Sequence, residues 1–208
     1  MKAMQFHSEY GQDRFVAELL PDRQGGVFVE VGALDGLLHS NSLYFERERQ
    51  WIGLLIEPIP ELAAACVRNR PGSHIIAAAI SDHAGVEAFR WINSGLAGWS
   101  GLVASTEPEH QERIAAAGST ATIVAVPVMP LEDALDLAAL HRIDYLSIDV
   151  EGAEPRILRD FPFGKFDIDI IGVENNWQRL EAASILGKAG YRMIARIGVD
   201  DFYRRSAD

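Results

Sequence analysis

The chain has 208 residues, about one domain's worth, and its 48% hydrophobic content suffices for one buried core. A formal charge of −11, from 30 acidic against 19 basic residues, argues against a nucleic acid or an anionic membrane as partner, because both are bound through basic patches. The lone cysteine, Cys66, excludes an intrachain disulfide; with no apolar signal core after Met1 and no run near the roughly 18 apolar residues of a membrane span, a cytoplasmic, soluble protein is expected.

In chain order, the pattern predicts a helix near residues 12–20, a strand at Val27–Val31, a helix at about 40–49, a strand at 51–57, a helix at 60–69 and a strand at 73–79. After an interruption come a helix at 131–140, a strand at Arg142–Ile148, a helix at 154–161, a strand at Asp167–Glu174 and a helix at 176–189. Two strand-like runs, 191–196 and 201–204, flank a turn-sized gap and read as a hairpin. Short Val- and Ile-rich runs alternating with helical stretches define an α/β chain with a mostly parallel sheet covered on both faces. The interruption, residues 86–128, holds two strand-like runs, a glycine-rich loop and a helix near 108–117. It is too long for a bare connection and is expected to be a lid or substrate-facing insertion within a single domain. Its Trp99 lies in the loop, whereas Trp91 sits in a strand pattern and reads as packing.

The first strand ends Glu30-Val31-Gly32-Ala33-Leu34-Asp35-Gly36. A dinucleotide-binding turn would carry glycine at position 30 and offer its amides to a pyrophosphate. A carboxylate there repels phosphate and attracts the ammonium and sulfonium groups of S-adenosylmethionine, so a cationic, phosphate-free cofactor is expected, with Gly32 and Gly36 admitting its methionine part. The second strand ends in Glu57-Pro58, 27 residues after Glu30, which places both carboxylates on one edge of the sheet. Glu57 can accept both ribose hydroxyls. The small residues Ala77-Ala78-Ala79 leave room for a flat ring at the expected adenine edge, where Ser81 or Asp82 would meet its amine; Asp82 serves equally well as a turn residue.

The run Ser147-Ile148-Asp149-Val150-Glu151-Gly152-Ala153-Glu154 sets three acids within six residues. Glu154, beside Pro155, opens a helix. Asp149 ends a buried strand facing the methyl-donor cleft. The following strand ends Glu174-Asn175-Asn176, so Asp149, Glu174 and Asn175 form a candidate Mg²⁺ site of hard oxygen donors; either asparagine also suits a helix cap. His39, just after the first motif, and His110, on the insertion, are candidate bases beside Asp149.

These segments resemble the FkbM family of S-adenosylmethionine-dependent methyltransferases. The resemblance is carried by Ser8-Glu9-Tyr10-Gly11-Gln12-Asp13, by residues 28–36 with His39-Ser40-Asn41, by Gly53-Leu54-Leu55-Ile56-Glu57-Pro58, by residues 147–154 and by Val173-Glu174-Asn175. It implies a Rossmann-like, class I methyltransferase fold: a seven-stranded, mostly parallel sheet closed by a C-terminal antiparallel hairpin. It also implies methyl transfer to a hydroxyl of a small molecule such as a sugar or natural product. By that likeness Glu30, Gly32 and Asn41 contact the cofactor, Glu57 the ribose and Asp149 the reacting centre. A related group of sugar O-methyltransferases binds magnesium through two aspartates where this chain has Glu174-Asn175. Rival expectations are a non-catalytic S-adenosylmethionine-binding regulatory module, an N-methyltransferase and, disfavoured by Glu30, a nicotinamide oxidoreductase. The apolar insertion would also suit a homodimer contact.

Overall fold

The computed structural model describes residues 5–94 and 96–206. Its elements, in chain order, begin with α1 (Gln12–Leu19), β1 (Val27–Val31), α2 (Leu43–Arg49), β2 (Ile52–Ile56), α3 (Pro60–Asn69) and β3 (His74–Ile76). There follow β4 (Ala79–Ile80), β5 (Gly85–Trp91), β6 (Gly101–Leu102), α4 (Pro108–Ala116) and β7 (Thr122–Met129). The chain closes with α5 (Leu131–Leu137), β8 (Arg142–Ile148), α6 (Glu154–Arg159), β9 (Asp167–Glu174), α7 (Glu181–Lys188), β10 (Tyr191–Ile197) and β11 (Asp200–Arg205). The main sheet has seven strands in the order β10-β11-β9-β8-β1-β2-β3. Strands β3, β2, β1, β8 and β9 run parallel, and β11 enters antiparallel to both β9 and β10.

Alternation along each strand builds two cores on opposite faces of this sheet. Val29, Val31, Leu54, Ile56, Leu146 and Ile171 pack with Leu135 of α5, Leu158 of α6 and Leu186 of α7. Phe28, Leu55, Tyr145, Ile170 and Phe202 pack the other way, with Val16 of α1, Tyr44 and Phe45 of α2 and Cys66 of α3. Glu30 is two residues from Phe28 and therefore shares the face of α1 and α2.

The insertion is a second sheet, ordered β4-β7-β5-β6, with α4 between β6 and β7. Phe89, Leu102, Val126 and Val128 join the first core, so the small sheet is welded to the large one by burial of apolar side chains. Two expected elements differ. The strand expected at 73–79 divides: residues 74–76 pair with β2, and Ala79–Ile80 cross to pair with Val128 and Met129. The helix expected from 176 starts at Glu181, because residues 176–180 form a turn closed by the Asn175 side chain. No helix among the described residues is long and apolar enough to cross a membrane.

Where β2 pairs with β1, a side chain on Gly53 would collide with the ring and the carbonyl oxygen of Phe28. Backbone cannot yield as a flexible side chain can. Gly53→Ala should destabilise the fold by about 2 kcal/mol or more, read from urea unfolding midpoints at unchanged slope.

Candidate functional site

The carboxyl ends of β1, β2, β8 and β9 converge on one edge of the main sheet, where an open parallel sheet leaves a crevice. At its bottom two chains approach closely. Gly32 turns with φ 89°, its amide donates to the Ile56 carbonyl at 3.0 Å, and the Asp149 amide donates to the Val31 carbonyl at 3.1 Å. A Cβ on Gly32 would fall inside the van der Waals shell of the Asp149 carbonyl oxygen, so position 32 requires glycine for both φ and space.

Glu30 is 4% exposed, and donors from the segment that opens α2 surround it. Oε1 accepts from the Asn41 amide at 2.7 Å, and Oε2 accepts from the hydroxyls of Ser40 at 2.9 Å and Ser42. The guanidinium of the fully buried Arg70 stands 4.0 Å from Oε2. Asn41, held by its backbone to Glu30, donates from Nδ2 to the Ser147 hydroxyl at 3.0 Å. Its Oδ1 is buried with no hydrogen-bond partner. Glu30, Gly32, His39, Asn41 and Asp149 line one small hollow there.

Beside it runs an apolar cavity of about 630 Å³ walled by Gly32, Ile56, Glu57, Ile59, Ala78, Ala79, Ile80, Phe89 and Leu102. Among the described residues Glu57 is its only carboxylate apart from Asp149. Its Oε1 accepts from the Ile59 amide at 2.9 Å, securing the start of α3, and Oε2 accepts from the Leu34 amide at 3.0 Å. Each oxygen keeps a lone pair for a further donor. Burial raises its pKa to about 7 against the pull of those two amides.

The opposite end of the crevice, a space of about 830 Å³, is lined by Tyr10, His39, Asn41, Trp99, Arg113, Asp149, Glu151, Glu174, Asn176 and Asp200. Asp149, Glu151 and Glu174 each bring one oxygen within 4.8 Å of the others. Asn176 Nδ2 donates to Glu174 at 2.7 Å and Glu151 at 3.3 Å. Desolvation pushes all three carboxyls upward, followed by repulsion from Asp200 and Glu154 at Asp149 and from Asp149 at Glu151 and Glu174; Glu151 rises to about 9. The insertion closes over them. Arg113 stacks on Trp99 at 4.0 Å, and Arg179 reaches Glu107 at 3.1 Å and Glu109 at 3.3 Å.

The structure brings together Glu30, Gly32, His39, Asn41, Glu57, Asp149 and Glu174. It places five other expected residues elsewhere. Ser81 and Asp82 lie past the crossing of β4 into the second sheet, away from the apolar cavity. There Ser81 donates to Glu87 at 2.6 Å, while the Arg156 guanidinium, 2.6 Å from Asp82, holds that carboxyl well below the usual range. The edge expected to hold adenine carries Ala78, Ala79 and Ile80 instead. Gly36, with φ 79°, serves packing: a Cβ there would crowd Arg70 and Cys66, and its carbonyl accepts from Arg70 Nη1 at 3.0 Å.

His110 is 2% exposed and is not a free base. Its Nε2 must donate to the Trp99 carbonyl at 2.9 Å, so in the neutral ring favoured by burial Nδ1 accepts from a protonated Glu151 3.2 Å away. It ties α4 to the acidic cluster. Asn175 turns away from that cluster. Its Nδ2 donates to the Arg179 carbonyl and to Asp201, and its Oδ1 accepts from the Arg179 amide, which is capping and removes it from the ligand set. Glu151 and Asn176 occupy the place expected of Asn175.

Seven strands in this order, with β11 antiparallel beside β9, define a Rossmann-like class I methyltransferase fold. Residues 30–193 match the family described as Methyltransferase FkbM domain, and the chain belongs to that family. Among solved structures it is similar to a TehB-like SAM-dependent methyltransferase from Corynebacterium glutamicum, at 9% identity and TM-score 0.49, covering 96% of this chain and 89% of that one. It is also similar to a Methyltransferase FkbM from Methylobacillus flagellatus, at 12% identity and TM-score 0.48, covering 86% of this chain and 43% of that one. A precorrin-6y C5,15-methyltransferase from Geobacter metallireducens aligns at 11% identity and TM-score 0.48, over 93% of this chain and 86% of that one. No curated protein matches the chain.

The acidic cluster fixes the sign of a pH effect. Glu151 keeps a proton until about 9 in the folded chain, against 4.5 ordinarily, so across that window the native state binds protons that the unfolded state has released. Stability falls as pH rises. Thermal melts at about pH 6 and about pH 9 should show the lower midpoint at the higher pH, and Glu151→Gln should shrink the difference.

Proposed function

We propose that the chain transfers a methyl group from S-adenosylmethionine to a hydroxyl oxygen of a small molecule, such as a sugar or natural product. The observation that carries this is the unpartnered, buried Asn41 Oδ1 on the same crevice as Glu57, whose oxygens retain accepting capacity beside an apolar cavity. That donor-seeking set suits a nucleoside with an aminoacyl tail. Glu57 would accept the two ribose hydroxyls, the walls formed by Ala78, Ala79, Ile80 and Phe89 would hold the adenine, and Asn41 Oδ1 would accept from the ammonium group. Among the described residues the apolar cavity offers adjoining phosphates no cation, which argues against a nicotinamide dinucleotide. When bound, the cofactor supplies a methyl group activated on positively charged sulfur.

Asp149 lines the apolar cavity, the tail hollow and the acidic space, and so stands between donor and acceptor. Asp149 would serve as the base that takes up the acceptor hydroxyl's proton; burial first, then the charges of Asp200 and Glu154, push its carboxyl above the usual range. His39, half-exposed at the rim and 4.0 Å from Glu9, is too solvated to replace it. The insertion, through Trp99 and Arg113, would exclude water and orient the acceptor.

A second component rests on the three carboxylate oxygens of Asp149, Glu151 and Glu174. Their hard, crowded donor set fits Mg²⁺, with Asn176 able to add its amide oxygen once that amide is turned. Bound there, the ion would offset the repulsion among the three and acidify a coordinated hydroxyl.

Calorimetry should show S-adenosylhomocysteine binding and no NAD binding. Because ribose hydroxyls donate to an ionised Glu57, affinity should tighten as pH rises through about 7, and Glu57→Gln should weaken binding and flatten that dependence. With an acceptor found by screening hydroxylated compounds, Asp149→Ala should lose about 10²-fold or more in turnover. Full turnover at normal cofactor affinity would remove Asp149 from the mechanism. Added Mg²⁺ should raise the melting midpoint at about pH 8 in the parent and not in Glu151→Gln.

A further inference from the structure

We infer that Arg70, which touches neither cavity nor acceptor space, is the positioning residue that sets the cofactor's aminoacyl-tail site by locking the Ser40-Asn41-Ser42 segment against Glu30. This deepens the methyl-donor reading above and rests on it.

Arg70 is 0% exposed and closes α3, far in sequence from the segment it holds. An unpaired guanidinium at such a site would be prohibitive, and every arm is engaged. Nη1 donates to the Gly36 carbonyl at 3.0 Å and to the Ser40 hydroxyl at 3.2 Å, Nη2 donates to the Ser42 hydroxyl at 3.0 Å, and Nε donates to Glu46 at 2.8 Å. Its plane also lies over the Phe28 ring at 5.3 Å. The two serine hydroxyls that accept from Arg70 are the same two that donate to Glu30 Oε2. Because each hydroxyl has a single proton, the guanidinium leaves that proton no better acceptor than Glu30, and so fixes the direction of both bonds.

The consequence reaches the crevice through one peptide unit. Asn41 lies between the two clamped serines, and its amide is held by Glu30 Oε1 at 2.7 Å. With backbone fixed on both sides and Nδ2 committed to Ser147, Oδ1 has one direction left, and it is the orphaned acceptor. A lysine at position 70 keeps a positive charge but lacks the planar fork that spans Gly36, Ser40, Ser42 and Glu46 together. Loss of the fork should loosen the tail site and leave the ribose and adenine walls, which Arg70 does not meet, untouched.

Two ligands separate this from a general loss of structure. S-adenosylhomocysteine carries the aminoacyl tail, and 5′-methylthioadenosine carries the same adenosine and thioether without it. In calorimetry, Arg70→Lys should weaken S-adenosylhomocysteine by about tenfold and change 5′-methylthioadenosine by less than about twofold. Equal affinity of parent and variant for S-adenosylhomocysteine, or equal weakening of both ligands, would overturn the inference. Should Arg70→Lys fail to fold, Ser42→Ala removes the shared hydroxyl alone and should give the same split at about threefold; no split there overturns the inference as well. A parent that binds neither ligand refutes instead the methyl-donor reading.

Discussion

A buried carboxylate must find donors, and the way Glu30 finds them organises the crevice. Placed by strand alternation on the α1 and α2 face, its charge is met by an amide and two hydroxyls from residues 40–42 and by Arg70 at 4.0 Å. The segment after the first turn is thereby drawn onto the sheet edge, and Asn41 is presented to the crevice. The carboxylate at the tip of β1 is thus bonded within the protein, and the crevice gains an oriented, unpartnered amide oxygen.

The same edge carries a second buried carboxylate, Glu57, that accepts from two backbone amides, and a third group, Asp149, Glu151 and Glu174, met by Asn176 and His110. These three degrees of satisfaction correspond to three proposed roles: a fully bonded acid shapes the backbone, a half-bonded acid awaits hydroxyl donors, and a mutually repelling cluster awaits protons or a cation. The second sheet and α4 complete the enclosure. His110 and Arg179 tie the insertion to the acidic end, which places Trp99 and Arg113 over the space an acceptor would occupy.

Strand positions were legible in the sequence because uninterrupted apolar runs have few alternatives to a buried strand, and the hairpin was announced by the turn-sized gap at residues 197–200, of which the structure keeps Gly198 and Val199 as the turn. Glu57 and Asp149 were legible for the same reason: each ends such a run. What failed depended on direction or on distant partners. Strand alternation carries Glu174 and Asn176 to one side and Asn175 to the other, a signal present in the sequence but masked by the resemblance of the Glu174-Asn175 pair. Ser81 and Asp82 were displaced because Ala79–Ile80 pair with Val128 and Met129 some fifty residues on, a long-range preference that periodicity does not carry. Arg70 follows an ordinary helix with nothing nearby to suggest burial, and His110, read as a candidate base, is buried against Glu151, a partner distant in the chain.

In the proposed function one crevice holds an adenosine by Glu57 and an aminoacyl tail by Asn41. A crystal structure of the chain grown with S-adenosylhomocysteine is the decisive measurement. Both ribose hydroxyls should lie on the Glu57 carboxylate, the ammonium nitrogen on Asn41 Oδ1 and the sulfur beside Asp149. Density for the ligand elsewhere, or an adenosine turned so that its ribose lies away from Glu57, would refute the proposal.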